Sequence, residues 1–337
     1  MYSIIDVAEK AGVSKSTVSR VINNNGFVKE ETRRAVEEAM KELNYTPSYF
    51  AQGIRTGKTK TIAFIHPDST NLFYNEMLGG VEEVALEKGY MVLICNTNRD
   101  PESEINYVRE LQKRNIDGII FSTYQMNDEN LKYFYRLSKT LPMVFMDNVY
   151  THNEDVSVVI SEGYESSRRI VHRLYEKGCR RIAYIRMQDV GVVNNRYEGY
   201  MRGLEDCGLK YETELVHVAA YKEIHKSHIK MGMDGAQNLL LLPEPPDAIM
   251  ASIDTMAIGA MRYILDQGLR VPQDIKIVGF DNIELSTLIR PRVSTIAQPI
   301  RKLGVEAAKL LMYKLQVDNG FNQRITFDPE FIEREST

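Results

Sequence analysis

Residues 1–24, MYSIIDVAEKAGVSKSTVSRVINN, read as two short helices joined at a glycine. Ser3 is placed to cap the first, with Asp6 three residues on to close a capping box. Ile4, Val7, Ala8 and Ala11 then fall at i, i+3, i+4 and i+7 on one buried face. Gly12 ends that helix and Ser14 opens a second, in which Val18, Val21 and Ile22 turn inward. Lys15, Ser16, Thr17, Ser19, Arg20 and Asn23 are left on the outer face. Two helices joined at a glycine turn, the second polar outside, have the layout of a helix-turn-helix.

The major groove of DNA admits one helix and presents donors and acceptors that short polar and forked basic side chains can read. Arg20 is the base-reading candidate, because a guanidinium can meet a guanine edge with two hydrogen bonds. Lys15 and Ser16 stand at the amino end, where recognition helices enter the groove. Thr17 and Ser19 suit phosphate or internal contacts. The alternative for the pair is an ordinary amphipathic helix hairpin with a solvated outer face. Charge favours DNA: the first sixty residues carry ten Lys or Arg against seven Asp or Glu (+3), and the remainder 32 against 39 (−7).

A third helix is expected from about Glu30 to Leu43, buried through Val36, Ala39, Met40 and Leu43 and ended at Asn44. The head therefore spans 1–46. Pro47 stops any continuation, so 47–60 reads as a hinge. Within it, residues 48–55 are long enough for only a turn or two of helix, which is marginal in water and needs DNA or a second copy to order it.

From Thr61 the pattern changes to short apolar runs alternating with helical stretches. Thr61–Pro67, Tyr90–Asn96, Asp117–Ser122 and Pro142–Asp147 are strand-like, and Asn75–Lys88 is helix-like. Ile62-Ala63-Phe64-Ile65 is echoed by Ile182-Ala183-Tyr184-Ile185, so two similar lobes with parallel sheets are expected over 61–337. The first lobe is placed at about 61–160 plus 293–320, and the second at 161–292 plus 321–337. Ligands of such folds bind outside the carboxyl ends of the strands, in the crevice between lobes. That rule nominates Asp68, Asn71, Phe73 and Tyr74 after the first strand, Asp147, Arg196, Asp254 and Asp281. Each has a duller role open to it: an aspartate that caps the next helix, an arginine paired within its own lobe, an aromatic ring in the core. Asp254 fits a helix cap best, because Met256, Ala257, Met261 and Ile264 begin a helical pattern there.

The motifs Ile5-Asp6-Val7-Ala8, Ala11-Gly12-Val13-Ser14, Thr17-Val18-Ser19-Arg20-Val21-Ile22-Asn23, Glu31-Thr32-Arg33 and Leu43-Asn44-Tyr45-Thr46-Pro47 resemble the head of the LacI/GalR family of bacterial transcription regulators. The likeness runs on through Arg55-Thr56-Gly57-Lys58 to Arg334-Glu335-Ser336-Thr337. It implies an all-α helix-turn-helix head on a two-lobed α/β body like that of periplasmic binding proteins. It further implies a regulator, in most members a repressor, that binds a palindromic double-stranded operator as a homodimer, under control of a small effector. Asp147, Arg196 and Asp281 then match effector contacts, with the positions near Phe73 lining the cleft. Ala51 and Ile54 match hinge residues that meet the minor groove, Arg55 beside them is a further DNA-binding candidate, and Gln52 stands where arginine is common.

Two departures concern the ligand. Family members often carry an amide before the aspartate that is Asp254 here, and an Asp-Asn pair near residue 160, where this chain has Ile253 and Val159-Ile160. Fewer hydrogen-bonding side chains suggest an effector other than a sugar bound through many hydroxyls. The effector classes kept open are a sugar, a sugar derivative or another metabolite. A protein corepressor docking on the first lobe is a further partner left open. No leucine heptad follows Arg334, so a dimer rather than a tetramer is expected.

The sequence has no phosphate loop, dinucleotide fingerprint, nucleophile elbow or zinc-protease motif. Neither a catalytic residue, a metal nor a cofactor is expected. Cys95, Cys179 and Cys207 are isolated, which suits a reducing cytoplasm, and neither a secretion signal nor a membrane span is read at the amino end. The location expected is the cytoplasm, at the nucleoid. The competing classes are an exported solute-binding protein, which would not carry the head, and a cleft enzyme, for which no nucleophile is evident.

Overall fold

The computed structural model describes residues 2–22, 25–45, 58–122, 128–146, 156–188, 195–219, 227–317 and 319–337. The chain divides into two compact units, 1–60 and 61–337. In the head, α1 (Ile4–Lys10), α2 (Lys15–Ile22) and α3 (Glu30–Glu42) enclose Val7, Ala8, Val18, Val21, Val36 and Ala39. The Ser3–Asp6 capping box is formed. Gly12 turns the chain at φ 65°, a conformation glycine adopts without steric cost. The Ser14 hydroxyl accepts from the Thr17 backbone N–H at 3.2 Å, which starts α2. Asn44, at φ 47°, follows the end of α3.

The second unit holds two six-stranded sheets. Strands β1 (Thr61–His66), β2 (Met91–Asn96), β3 (Gly118–Ser122), β4 (Met143–Met146), β5 (Ser157–Ser161) and β11 (Arg324–Phe327) form the first, ordered β11-β5-β4-β3-β1-β2. Strands β6 (Ile182–Met187), β7 (Val216–Ala219), β8 (Ala248–Ala251), β9 (Lys276–Asp281), β10 (Ser294–Ala297) and β12 (Glu330–Ile332) form the second, ordered β12-β10-β9-β8-β6-β7. Every pairing is parallel except β10 with β12. The expected lobe boundaries at 293 and 321 fall too early. Ser294–Ala297 pairs with β9 in the second sheet, and Arg324–Phe327 pairs with β5 in the first. The chain therefore crosses between lobes after β5, after β10 and between β11 and β12.

Helices α4 (Leu72–Glu87), α5 (Pro101–Lys113), α6 (Asp128–Ser138), α7 (Tyr164–Glu176), α8 (Asn195–Asp206), α9 (His228–Leu240), α10 (Asp254–Asp266), α11 (Leu285–Leu288) and α12 (Ile300–Gln316) cover the sheets. Helix α4 begins three residues before the expected Asn75, because Asn71 caps it by accepting from the Phe73 N–H at 3.1 Å. Glycines let the helix pairs touch backbone to backbone. A Cβ at Gly232 would lie 2.0 Å from the Met256 carbonyl, and one at Gly259 would lie 1.9 Å from that of Ile229, so α9 and α10 are locked in register.

Candidate functional site

On the head, Lys15, Ser16 and Arg20 are exposed on one side of α2, whereas Val18 and Val21 are buried on the other. Thr17 and Ser19 are half-buried. The Thr17 hydroxyl lies 2.9 Å from that of Ser14, within the network that starts the helix. The open face therefore narrows to Lys15, Ser16 and Arg20. Asn23, Ala51, Ile54 and Arg55 lie outside the described residues.

In the body, the strand ends gather the second group. Asp281 closes β9 with φ 121°, and Asn282 follows at 62°. Asparagine tolerates the second of these, but the first is a conformation that residues with a side chain rarely adopt, so the surrounding structure must hold Asp281. It does so from several elements. Gln298 donates its side-chain amide to the Asp281 carboxylate at 2.6 Å, Arg334 donates to the Asn282 side chain, and the Ile283 N–H reaches the Asp254 carboxylate at 2.9 Å. Arg196 brings its guanidinium to 3.6 Å from the same Asp281 carboxylate. It is oriented by the Ser252 carbonyl at 2.7 Å and by the Phe280 ring, whose centre is 3.7 Å away.

Asp254 needs correcting. It is the first residue of α10, and that helix has no side-chain cap. Its carboxylate is fully buried, with one oxygen on Ile283 N–H and the other accepting from the Thr295 hydroxyl at 2.6 Å. It ties the loop after Asp281 to the start of α10. Burial raises its pKa to about 7 in spite of those hydrogen bonds. Phe73 and Tyr74 meet edge to face at 5.2 Å inside the first-lobe core, which also takes Ile283 from the second lobe. Asn71 is engaged as the α4 cap. Asp147 lies outside the described residues.

Asp68 is buried and ion-paired with Arg99. Burial acts to raise its carboxyl, but hydrogen bonds from Arg99 and Thr70 outweigh this and hold it below the usual carboxylate range. The positions behind both ligand departures are packed. Val159 and Ile160 are buried within β5, and Ser161 ends that strand. Ile253 is packed in the second-lobe core.

Sequence reasoning missed several polar groups. His66, Ser122 and Ser161 terminate β1, β3 and β5, and the His66 Nδ1 and both hydroxyl oxygens are buried with no hydrogen-bond partner. Burial lowers the His66 pKa against the opposing pull of Asp68, which favours the neutral ring. Gln298 was missed as well. Among the described residues no group of three or more His, Cys, Asp or Glu is arranged to hold a metal, and no helix is long and apolar enough to cross a membrane.

A three-helix head with a polar recognition face, joined in one chain to a two-lobed α/β body, defines a two-part DNA-binding regulator. The model of bacterial regulatory proteins of the lacI family matches residues 3–48, and that of the periplasmic binding protein-like domain matches 171–337. The chain is 35% identical to the ribose operon repressor of Halalkalibacterium halodurans, covering 100% of this chain and 97% of that one. It is 32% identical to the HTH-type transcriptional regulator RegA of Clostridium saccharobutylicum, covering 99% of each. Its fold is similar to that of the lac repressor dimer bound to operator and the anti-inducer ONPF, with a TM-score of 0.86, 25% identity and 99% and 98% of the two chains covered. The chain belongs to the LacI family of bacterial regulatory proteins. It is a DNA-binding transcription regulator, and its relatives are regulators rather than enzymes.

Proposed function

We propose that the protein is a homodimeric repressor that reads a palindromic operator on nucleoid DNA in the cytoplasm through Lys15, Ser16 and Arg20, and answers to a small metabolite held between the lobes. The observation that carries the ligand site is the set of buried polar atoms without partners on His66, Ser122 and Ser161. A buried polar atom left unmade is costly, and a polar ligand would satisfy it. Arg196 and Asp281 supply a donor and an acceptor from the second lobe. These groups are neutral or already ion-paired, which suits hydroxyls better than a phosphate. Because Val159 and Ile160 lie inside β5, their apolar character is no argument against a sugar.

A dimer is supported by the edge strand β2, where Met91, Leu93 and Ile94 are exposed, with Leu72 and Leu86 exposed at the two ends of α4. Exposed apolar groups on an unpaired strand edge call for a cover, and a second copy supplies one. The relative named ribose operon repressor makes D-ribose a first effector to try. Operator selection with the full chain, repeated with D-ribose and a panel of neutral and phosphorylated sugars, tests the proposal. A palindrome should be enriched and its affinity should change with one panel member. Failure to enrich any palindrome would overturn the DNA part. A palindrome bound by the chain while Ser122→Ala and Asp281→Asn leave every ligand response unaltered would overturn the site.

A further inference from the structure

We propose that His228, on the second lobe, and the Asp68–Arg99 pair, on the first, form a clasp that holds the two lobes closed at the side opposite the interlobe crossings. The clasp presupposes the two-lobed regulator proposed above, but no residue of it is needed for reading DNA.

Topology sets the lever. All three crossings run through β5 and β11 at one edge of the first sheet and β10 and β12 at one edge of the second. Asp68 follows β1 and Arg99 follows β2, at the other edge of the first sheet. Counting β5, β4, β3, β1 gives three strand spacings, so β1 lies roughly 14 Å from the crossing strand. His228 begins α9, the helix that follows β7 at the far edge of the second sheet. A rotation about the crossings therefore moves these groups apart further than it moves Asp281 or Gln298.

Each half of the clasp is built. On the first lobe, Arg99 is ion-paired with Asp68, whose carboxylate also accepts from the Thr70 N–H at 2.9 Å and its hydroxyl at 2.7 Å. The Asn96 amide donates to the Ser69 hydroxyl at 3.0 Å, joining the same two loops a second time. On the second lobe, the Ser227 hydroxyl caps α9, and the glycine contact with α10 fixes where the helix begins. Between the halves, His228 Nδ1 stands 3.7 Å from the Asp68 carboxylate, and the His228 side chain is only 4% exposed. At that separation the ring is packed against the Asp68 carboxylate of the opposite lobe without a hydrogen bond to it, and that packing is what is given up when the lobes part. Asp68, nominated from sequence as a ligand contact, is thereby reassigned to lobe closure.

The test measures the lobes directly in the full chain, without DNA. Spin labels on Lys113→Cys in α5 and Gln237→Cys in α9, in a Cys207→Ser background, report the interlobe distance by double electron–electron resonance; Cys95 and Cys179 are buried. The parent should give a short-distance population. His228→Ala should add a longer one, and His228→Asp, which sets a like charge against Asp68, should shift most molecules to it. His228→Gln, which keeps an uncharged polar side chain of similar reach, should retain the short distance. Asp68→Asn, on the other lobe, should shift the distribution in the same direction as His228→Ala, and covers the case in which a His228 variant fails to fold. Distributions for His228→Asp and Asp68→Asn that coincide with the parent would overturn the clasp. Because no operator or effector enters the measurement, its outcome is separate from that of the proposed function.

Discussion

Two buried groups oppose one another in their effect of pH on stability, and replacing each should expose the other. His228 is pushed from 6.5 down to about 4, by burial first and then by the Arg99 charge, with Asp68 working against both. Between those values the unfolded chain binds a proton there that the folded chain does not. His228 therefore favours the fold fully above pH 6.5, and that contribution is lost as pH falls toward 4. Its span is about 3–4 kcal/mol, from 2.5 pH units at about 1.4 kcal/mol each. Asp254 is raised from 3.8 to about 7, so the folded chain holds a proton there that the unfolded chain has released, and stability falls as pH rises through that window. The two slopes, each about 1.4 kcal/mol per pH unit, nearly cancel between pH 4.5 and 6. His66, lowered by burial, adds to the first, and Glu76, raised by burial, adds to the second. His228→Gln should make stability fall with pH, by about 1.4 kcal/mol per unit relative to the parent. Asp254→Asn should make it rise by as much; the amide oxygen can still accept from Ile283, and its nitrogen can donate to the Thr295 hydroxyl. Urea unfolding followed by circular dichroism from pH 4.5 to 7 measures both. A parent-like slope in His228→Gln would refute a neutral, buried imidazole, and with it the close packing of α9 against the first lobe.

Three further outcomes follow from the packing. Gly259→Ala forces a methyl against the Ile229 carbonyl and should cost the body about 1–3 kcal/mol, read as a lower urea midpoint, while the Gly268→Ala control, whose Cβ meets nothing within 4 Å, tests only backbone strain at its φ of 79°. Ser3→Ala removes the α1 cap and should lower head stability by about 1 kcal/mol, seen as faster amide exchange in residues 4–10 with no change in the body. Met91→Glu places a charge on the exposed edge of β2 and should convert the dimer to monomer in sedimentation equilibrium; an unchanged mass would move the interface elsewhere.

The head was legible in the sequence because its determinants are local. Ser3 with Asp6, Gly12 and Ser14 act over three or four residues, and the structure uses each of them. The lobe boundaries were not, because Ser294–Ala297 and Arg324–Phe327 are strands of four residues, and nothing within four residues says which sheet they join. That is decided by partners far along the chain, Val278–Asp281 for one and Val158–Ser161 for the other. Asp254 shows the same limit: a carboxylate at a helix start is recognisable, but whether it caps or pins depends on Thr295 and Ile283 arriving beside it. The clasp is the extreme case, since Asp68, Arg99 and His228 come from three separate loops and helix starts.

The missed strand-end residues are different, because a signal for them was present. His66 follows Thr61-Ile62-Ala63-Phe64-Ile65, Ser122 follows Gly118-Ile119-Ile120-Phe121, and Ser161 follows Ser157-Val158-Val159-Ile160. Each is the polar last residue of a run that is otherwise almost wholly apolar. In a parallel sheet covered on both faces the interior of such a run must be apolar, so a polar residue at its carboxyl end is the first position freed from that demand. It is also the position nearest a ligand in a two-lobed α/β fold. Weighting the final residue of each strand, rather than the loop beyond it, would have selected all three. It would also have kept Asp281, the last residue of β9, and passed over Asp68, which stands two residues beyond β1 and faces the other lobe's His228.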